Sequence, residues 1–228
     1  MQESAQRFRA AAELYKLILK KHPSYVNSYL RLACLSRDLG DLNACAQWLS
    51  CAIKVEPKNN SVLTLVGNLH TSLLDWAPAQ QIFNNLSSAG DATATYSQLS
   101  LGNIYFSNLT AGSKYSKHLQ HAADFCRRIL IKDPSNLYAA LGLGTVLAEK
   151  GDLIRAKEAF NIVRSSSNDN IPDVLINLGH IYLAQQRHAE SLQMYQAYLD
   201  RKDKSNKDSS DMNNVLLYVA YAYYDWGR

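Results

Sequence analysis

Apolar positions along the chain recur with two nested periods. The shorter one is helical. In 42–55, Cys45, Leu49 and Ala52 fall at intervals of four and three, which sets their side chains on one face of a helix. The same spacing of a small residue, a bulky residue and a further apolar or small residue returns as Ala79/Phe83/Leu86, Ala122/Cys126/Ile129, Ala156/Phe160/Val163 and Ser191/Tyr195/Tyr198. Ala11/Tyr15/Ile18 repeats it near the N-terminus. The longer period is carried by a branched apolar residue followed by Gly or Ala, at Leu32-Ala33, Val66-Gly67, Leu101-Gly102, Leu143-Gly144, Leu178-Gly179 and Val219-Ala220. The small residues of these pairs are 34, 35, 42, 35 and 41 positions apart. The reason for such a pattern is steric: two antiparallel helices approach closely only where a small side chain admits the neighbour, and a large side chain then fills the adjoining hole.

Turn residues fall between these segments. Gly40 and Gly151 are each followed by Asp at a helix N-cap position. Pro23, Pro57 and Pro134 follow helix ends, and Pro78 fits a first turn where its missing N–H is not needed. The pattern predicts about twelve helices and no strand: a lone second helix over 3–21, pairs over 26–56, 60–87, 94–133, 137–166 and 172–202, and a lone first helix over 212–226. A repeat of about 34 residues built from two helices is the tetratricopeptide (TPR) period. The expected fold is therefore an all-α TPR α-solenoid, a right-handed superhelix of antiparallel helix pairs with an extended concave face. It is read as a single array over 1–228 that starts in a second helix and ends after a first helix. Neither end carries a polar capping repeat, so a fragment of a longer array, or a truncated product, is expected. Two departures from the period read as polar loops: an insert at 107–118 inside one pair, and an inter-repeat loop at 202–212. The first could add a partner contact through Lys114, Tyr115 and Lys117, or be a tolerated surface loop.

Composition removes several alternatives. Only 19% of residues are charged and the net charge is +4, too mild and too dispersed for direct sequence-specific binding to nucleic acid. No window reaches the roughly 18 consecutive apolar residues of a membrane span, and the N-terminus lacks the apolar core of a secretory signal. Cys34, Cys45, Cys51 and Cys126 have neither metal-type spacing nor a disulfide framework. A reducing compartment is the default, and the sequons at Asn59, Asn85 and Asn108 are chance matches. His118-x-x-His121 with Asp124 has a spacing that could support a metal, but it reads more simply as a solvated helix start. No phosphate loop or catalytic triad is present. No metal, cofactor, small-molecule substrate or enzymatic activity is expected.

By resemblance to the TPR family, certain first-helix positions point into the groove. Among them are Asn27, Leu30, Cys34 and Arg37, then Thr64, Asn68 and Thr71, then Tyr96, Leu99, Asn103 and Phe106. Further along they include Tyr138, Leu141 and Thr145, then Asp173, Ile176, His180 and Leu183, and last Asn214, Leu217 and Tyr221. The preferred binding set is Asn68, Tyr96, Asn103, Tyr138, Thr145, His180 and Tyr221. The groove lacks the Lys-then-Asn pairing with which chaperone-adaptor TPRs clamp a terminal carboxylate. An internal segment of another chain, held by apolar burial and Asn hydrogen bonds, is the expected ligand. The apolar members could instead pack into adjacent helices.

A narrower resemblance rests on longer stretches. NLYAALGLGTVLAEKGDLIRAKEAFNIVR (136–164), YVNSYLRLACLSRDLGD (25–41), NLHTSLLDWAPAQQIF (68–83) and PDVLINLGHIYLAQQRHAESLQMYQAYL (172–199) resemble the TPR-rich Ctr scaffold subunits of the RNA polymerase II-associated factor (PAF) elongation complex. The insert after SLGNIYF (100–106) is similar too. That resemblance implies a nuclear scaffold. Its partners would be a Paf-like subunit and a parafibromin-like subunit, with RNA polymerase II contacted indirectly, and its role would lie in transcription elongation and linked histone modification. Family members have many more repeats and a charged C-terminal tail, which this sequence lacks. The alternatives are a TPR adaptor of a chaperone or ubiquitin-ligase assembly, or the targeting arm of a TPR-bearing enzyme.

Overall fold

A computed structural model describes residues 2–88, 92–109, 114–167, 171–204 and 210–227. Among these residues the chain is all helical, with twelve α-helices and no strand. They are α1 (Gln2–Lys21), α2 (Val26–Asp38), α3 (Leu42–Val55), α4 (Asn60–Ser72), α5 (Trp76–Leu86), α6 (Ala92–Ser107), α7 (Tyr115–Lys132), α8 (Leu137–Glu149), α9 (Leu153–Ser166), α10 (Asp173–Ala184), α11 (His188–Lys204) and α12 (Ser210–Trp226). The helices sit where the hydrophobic pattern places them. The expected loops are shorter than the period suggested. Ser107 closes α6, and residues 115–118 already form the first turn of α7. Residues 202–204 complete α11 and 210–212 open α12. The centres of both inserts, 110–113 and 205–209, lie outside the described residues.

The residues form two compact units, Met1–Ile104 and Tyr105–Arg228. Within each, helices pack on their neighbours in chain order, from α1 to α5 in the first and from α7 to α12 in the second. In the second unit α8 also touches α10, so first helices of successive pairs line up side by side.

The small-then-large stripe is the core. Cys45, Ala79, Ala122, Ala156 and Ser191 are buried, as are Leu49, Phe83, Cys126, Phe160 and Tyr195 four residues later. Glycines on the first helices make room for the rings. A methyl on Gly67 would lie 2.7 Å from the tip of Phe83, and one on Gly144 would lie 2.6 Å from Phe160. One on Gly179 would fall on the ring of Tyr195. Ser191, beneath Tyr195 on α11, donates its hydroxyl to the Gly179 carbonyl at 2.9 Å. This satisfies a polar group that burial would otherwise make costly.

The helix-to-helix turn inside four of the pairs is a single design. After α2, the amide of Gly40 donates to Arg37 O and that of Asp41 to Ser36 O. The same two bonds follow α4 (Leu74 to Thr71, Asp75 to His70), α8 (Gly151 to Ala148, Asp152 to Leu147) and α10 (Gln186 to Leu183, Arg187 to Tyr182). This double bond pattern needs one residue in the left-handed region. Gly40 and Gly151 take it at φ of 80° and 82°, and Leu74 and Gln186 take it at 59° and 58°. Asp41 and Asp152 then cap the next helix, accepting from Ala44 N at 2.9 Å and Arg155 N at 3.2 Å.

Two stability predictions follow from this packing. Gly144→Ala should lower the unfolding free energy by about 1–2 kcal/mol, because the strain of overpacking exceeds the gain in helix propensity. Leu74→Gly should raise it by about 0.5–1 kcal/mol, because the left-handed penalty of a side-chain-bearing residue is larger than the entropy cost of glycine. Urea melts of the two variants against the parent chain check both signs, and a Leu74→Gly variant less stable than the parent would contradict the second.

Candidate functional site

In the first unit, the first helices enclose a trough. One cavity of about 500 Å³ lies between Tyr15 on α1, Tyr25 just before α2, Asn27, Leu30, Arg31 and Cys34 on α2, and Ser61 and Leu65 on α4. A second, of about 320 Å³, is lined by Ser61, Thr64, Leu65, Thr93 and Tyr96. The two share Ser61 and Leu65 and so adjoin each other. Asn27, Leu30, Cys34, Thr64 and Tyr96, all among the expected groove positions, line these cavities. Arg37 does not line this trough. Its guanidinium is paired with Asp38 at 2.9 Å. Asn68 and Tyr96 are brought together: the Tyr96 hydroxyl donates to Asn68 Oδ1 at 2.8 Å, and its ring meets Phe83 edge-on at 6.3 Å. Asn68 therefore spends its carbonyl oxygen on holding Tyr96 upright at the trough wall. Asn103 is exposed on α6.

In the second unit a cavity of about 280 Å³ lies against α8 and α10, lined among others by Phe106, Thr145, Glu149, Asn177 and His180. Thr145 donates its hydroxyl to Leu141 O at 3.0 Å, which leaves its lone pairs for the cavity. His180 is half-buried. Its Nδ1 lies 2.8 Å from the Tyr195 hydroxyl, and its ring stands edge-on to Tyr218 of α12 at 4.6 Å. Burial lowers the His180 pKa below the ordinary imidazole value, and burial raises that of Tyr195 to about 12. The phenol thus keeps its proton and donates it to a neutral imidazole. Tyr138 on α8 and Tyr221 on α12 are exposed, at 66% and 56%.

The remaining candidates are engaged elsewhere. His118 Nδ1 lies 2.9 Å from Asn108 O. The rings of His118, His121 and Phe125 pack on Tyr105 at 5.5, 5.0 and 6.0 Å. Asp124 is bonded by Gln120 and by Arg127. Among the described residues no three His, Cys, Asp or Glu side chains gather as a metal set. Tyr115 of the insert donates to Glu149, a contact between the start of α7 and the end of α8 that pattern reading did not find. The buried Cys126 thiol is pushed up to about 11 by burial, so it packs rather than reacts at neutral pH. No described helix is long and apolar enough to cross a membrane.

Repeated helix pairs joined by one turn design, with rings seated on glycine, define an all-helical tetratricopeptide-repeat α-solenoid. Tetratricopeptide-repeat models match residues 26–59 and 141–206. Solved structures share the fold at low identity. A TPR protein of Thermus thermophilus superposes with a TM-score of 0.71 over 87% of this chain and 99% of that one, at 19% identity. The anaphase-promoting-complex assembly Cut9–Hcn1 gives 0.76 over 95% of this chain and 40% of that one, at 13% identity. Within the class, the sequence relatives are CTR9 proteins. The CTR9 homolog of Arabidopsis thaliana is 37% identical over 98% of this chain and 21% of its own length. The RNA polymerase-associated protein CTR9 of Caenorhabditis elegans is 33% identical over 94% and 19%. The chain thus spans about a fifth of these relatives, and the resemblance to the TPR-rich Ctr scaffold subunits holds over nearly all of it.

The His180 pair predicts a pH dependence. A histidine whose folded pKa lies below its unfolded value adds stability that is present above the unfolded value and is lost as pH falls through the folded one. The midpoint of thermal unfolding should therefore drop as pH falls below about 6.5. The slope should be shallower in His180→Gln. An identical slope in the variant would assign the effect to other groups.

Proposed function

We propose that this chain is a non-catalytic scaffold segment of a nuclear, RNA polymerase II-associated assembly of the PAF type. It binds internal segments of other subunits along the inner faces of its first helices. A Paf-like subunit and a parafibromin-like subunit are the direct partners, and RNA polymerase II is reached through them. By holding these subunits together it supports transcription elongation and linked histone modification. The single observation that carries this reading is the similarity to CTR9 proteins over nearly the whole chain at 33–37% identity. The surfaces agree in character. Troughs lined by Tyr, Thr, Ser, Asn and Leu suit a peptide held by apolar burial and side-chain hydrogen bonds.

Affinity purification of the tagged chain from nuclear extract, read by mass spectrometry, tests this. Other subunits of the assembly should be enriched, with RNA polymerase II in lesser amount. Tyr138→Ala, at an exposed aromatic, should weaken capture by about tenfold. Enrichment of chaperones or ubiquitin-ligase subunits in place of polymerase-associated proteins would overturn the proposal.

A further inference from the structure

We propose that the trough of the first unit selects partner segments carrying an acidic side chain, which Arg31 receives. This rests on the reading of that trough as a peptide-binding surface. Among the described residues, Arg31 is the sole charged residue lining either of the two adjoining cavities. It has no hydrogen-bond or ion-pair partner among the described residues, whereas two other cations of the same unit are paired: Lys16 with Glu13 at 2.9 Å, Arg37 with Asp38 at 2.9 Å. A cationic side chain entering here would meet a like charge with no acid to offset it. A neutral one would gain nothing from the guanidinium.

The surroundings favour an anion further. Tyr15, Tyr25 and Asn27, which carry hydroxyl and amide donors, line the same cavity as Arg31, together with the apolar Leu30 and Leu65. Hydroxyl and amide donors around a guanidinium suit a planar, bidentate acceptor such as a carboxylate, and suit a phosphate equally. The apolar residues exclude water and strengthen the pairing relative to an open surface. The neighbouring cavity shares Ser61 and Leu65 with this one, so a bound segment can run on from its acidic residue. The neighbouring cavity would take the flanking residues against Thr64, Thr93 and Tyr96.

Fluorescence anisotropy of the whole chain with four short fluorescein-labelled peptides tests the proposal. The peptides share a Leu/Tyr/Gly framework and differ in one central residue: Glu, phosphoserine, Gln or Lys. The Glu peptide should bind about tenfold tighter than its Gln twin, the advantage of one charge-assisted bond pair. Arg31→Ala should erase that difference, and Arg31→Glu should transfer the preference to the Lys peptide. Lys132→Ala, an exposed cation of the second unit, should leave it intact. Phosphoserine tighter than Glu identifies phosphate as the natural group, and the reverse order identifies carboxylate. Equal binding of the Glu and Gln peptides, or an undiminished preference in Arg31→Ala, overturns the role of Arg31 while leaving the trough a peptide site. Failure of all four to bind overturns the trough reading as well. Arg31 is exposed, and circular dichroism of its variants verifies that they fold.

Discussion

The architecture depends on absent side chains. At Gly67, Gly144 and Gly179 a hydrogen stands where any other residue would put a methyl group into an aromatic ring of the partner helix. The fully buried Phe83, Phe160 and Tyr195 can seat only because those positions are empty. Burial of such a ring stabilises by about 1.5–3 kcal/mol, so each hairpin is closed by one dominant contact. The turn that follows the first helix in four of the pairs then has little freedom. The ring fixes how close the two helices lie, and a left-handed residue with two carbonyl-satisfying amides spans the short gap. That Leu74 and Gln186 accept the same φ as Gly40 and Gly151 shows the hairpin dictating the turn and not the reverse.

This economy leaves the opposite stripe of each first helix free. Residues such as Thr64, Tyr96, Thr145 and His180 are not needed to fill the core, and their polar atoms face troughs. Some serve both needs. Asn68 anchors Tyr96, and His180 bonds the buried Tyr195 while lining a cavity. Such residues link recognition to packing: a ligand that competes for the Asn68 oxygen must also release a tyrosine held against Phe83. Rigid placement of aromatic side chains lowers the ordering cost of binding, which suits the peptide-binding role proposed for this surface.

Much of this was legible in the sequence. Helix positions follow from local spacing and turn chemistry, and the small–large stripe predicted the buried residues of α3, α5, α7, α9 and α11. What escaped depends on contacts across repeats. The Tyr96–Asn68 bond joins residues 28 apart, and the Tyr115–Glu149 bond joins residues 34 apart. Neither has a local signature. Leu74 carries no mark of a left-handed turn, since that residue type disfavours it, and only its place between α4 and Asp75 gives it away. Arg31 lies one position beyond an expected inward residue, Leu30, and its reach into the cavity comes from a long side chain that a positional rule cannot follow.

Cys126 indicates how tolerant the scheme is. Here a thiol takes the place held by an aromatic ring in neighbouring pairs, leaving less volume at the centre of α7. The next helix lies close against it: a methyl on Gly142 of α8 would lie 3.0 Å from the Cys126 sulfur. Cys45 makes the complementary exchange, standing buried where other pairs have Ala or Ser, with Leu49 in the ring position. In α3 a larger residue at the small position thus accompanies a smaller one at the ring position. A thiol between Ala and Leu in size can serve at either position, and burial raises both thiols above their usual pKa, which keeps them protonated and inert. The period can therefore persist through sequences that share few identities, because the constraint falls on the sum of two facing side chains and not on either one.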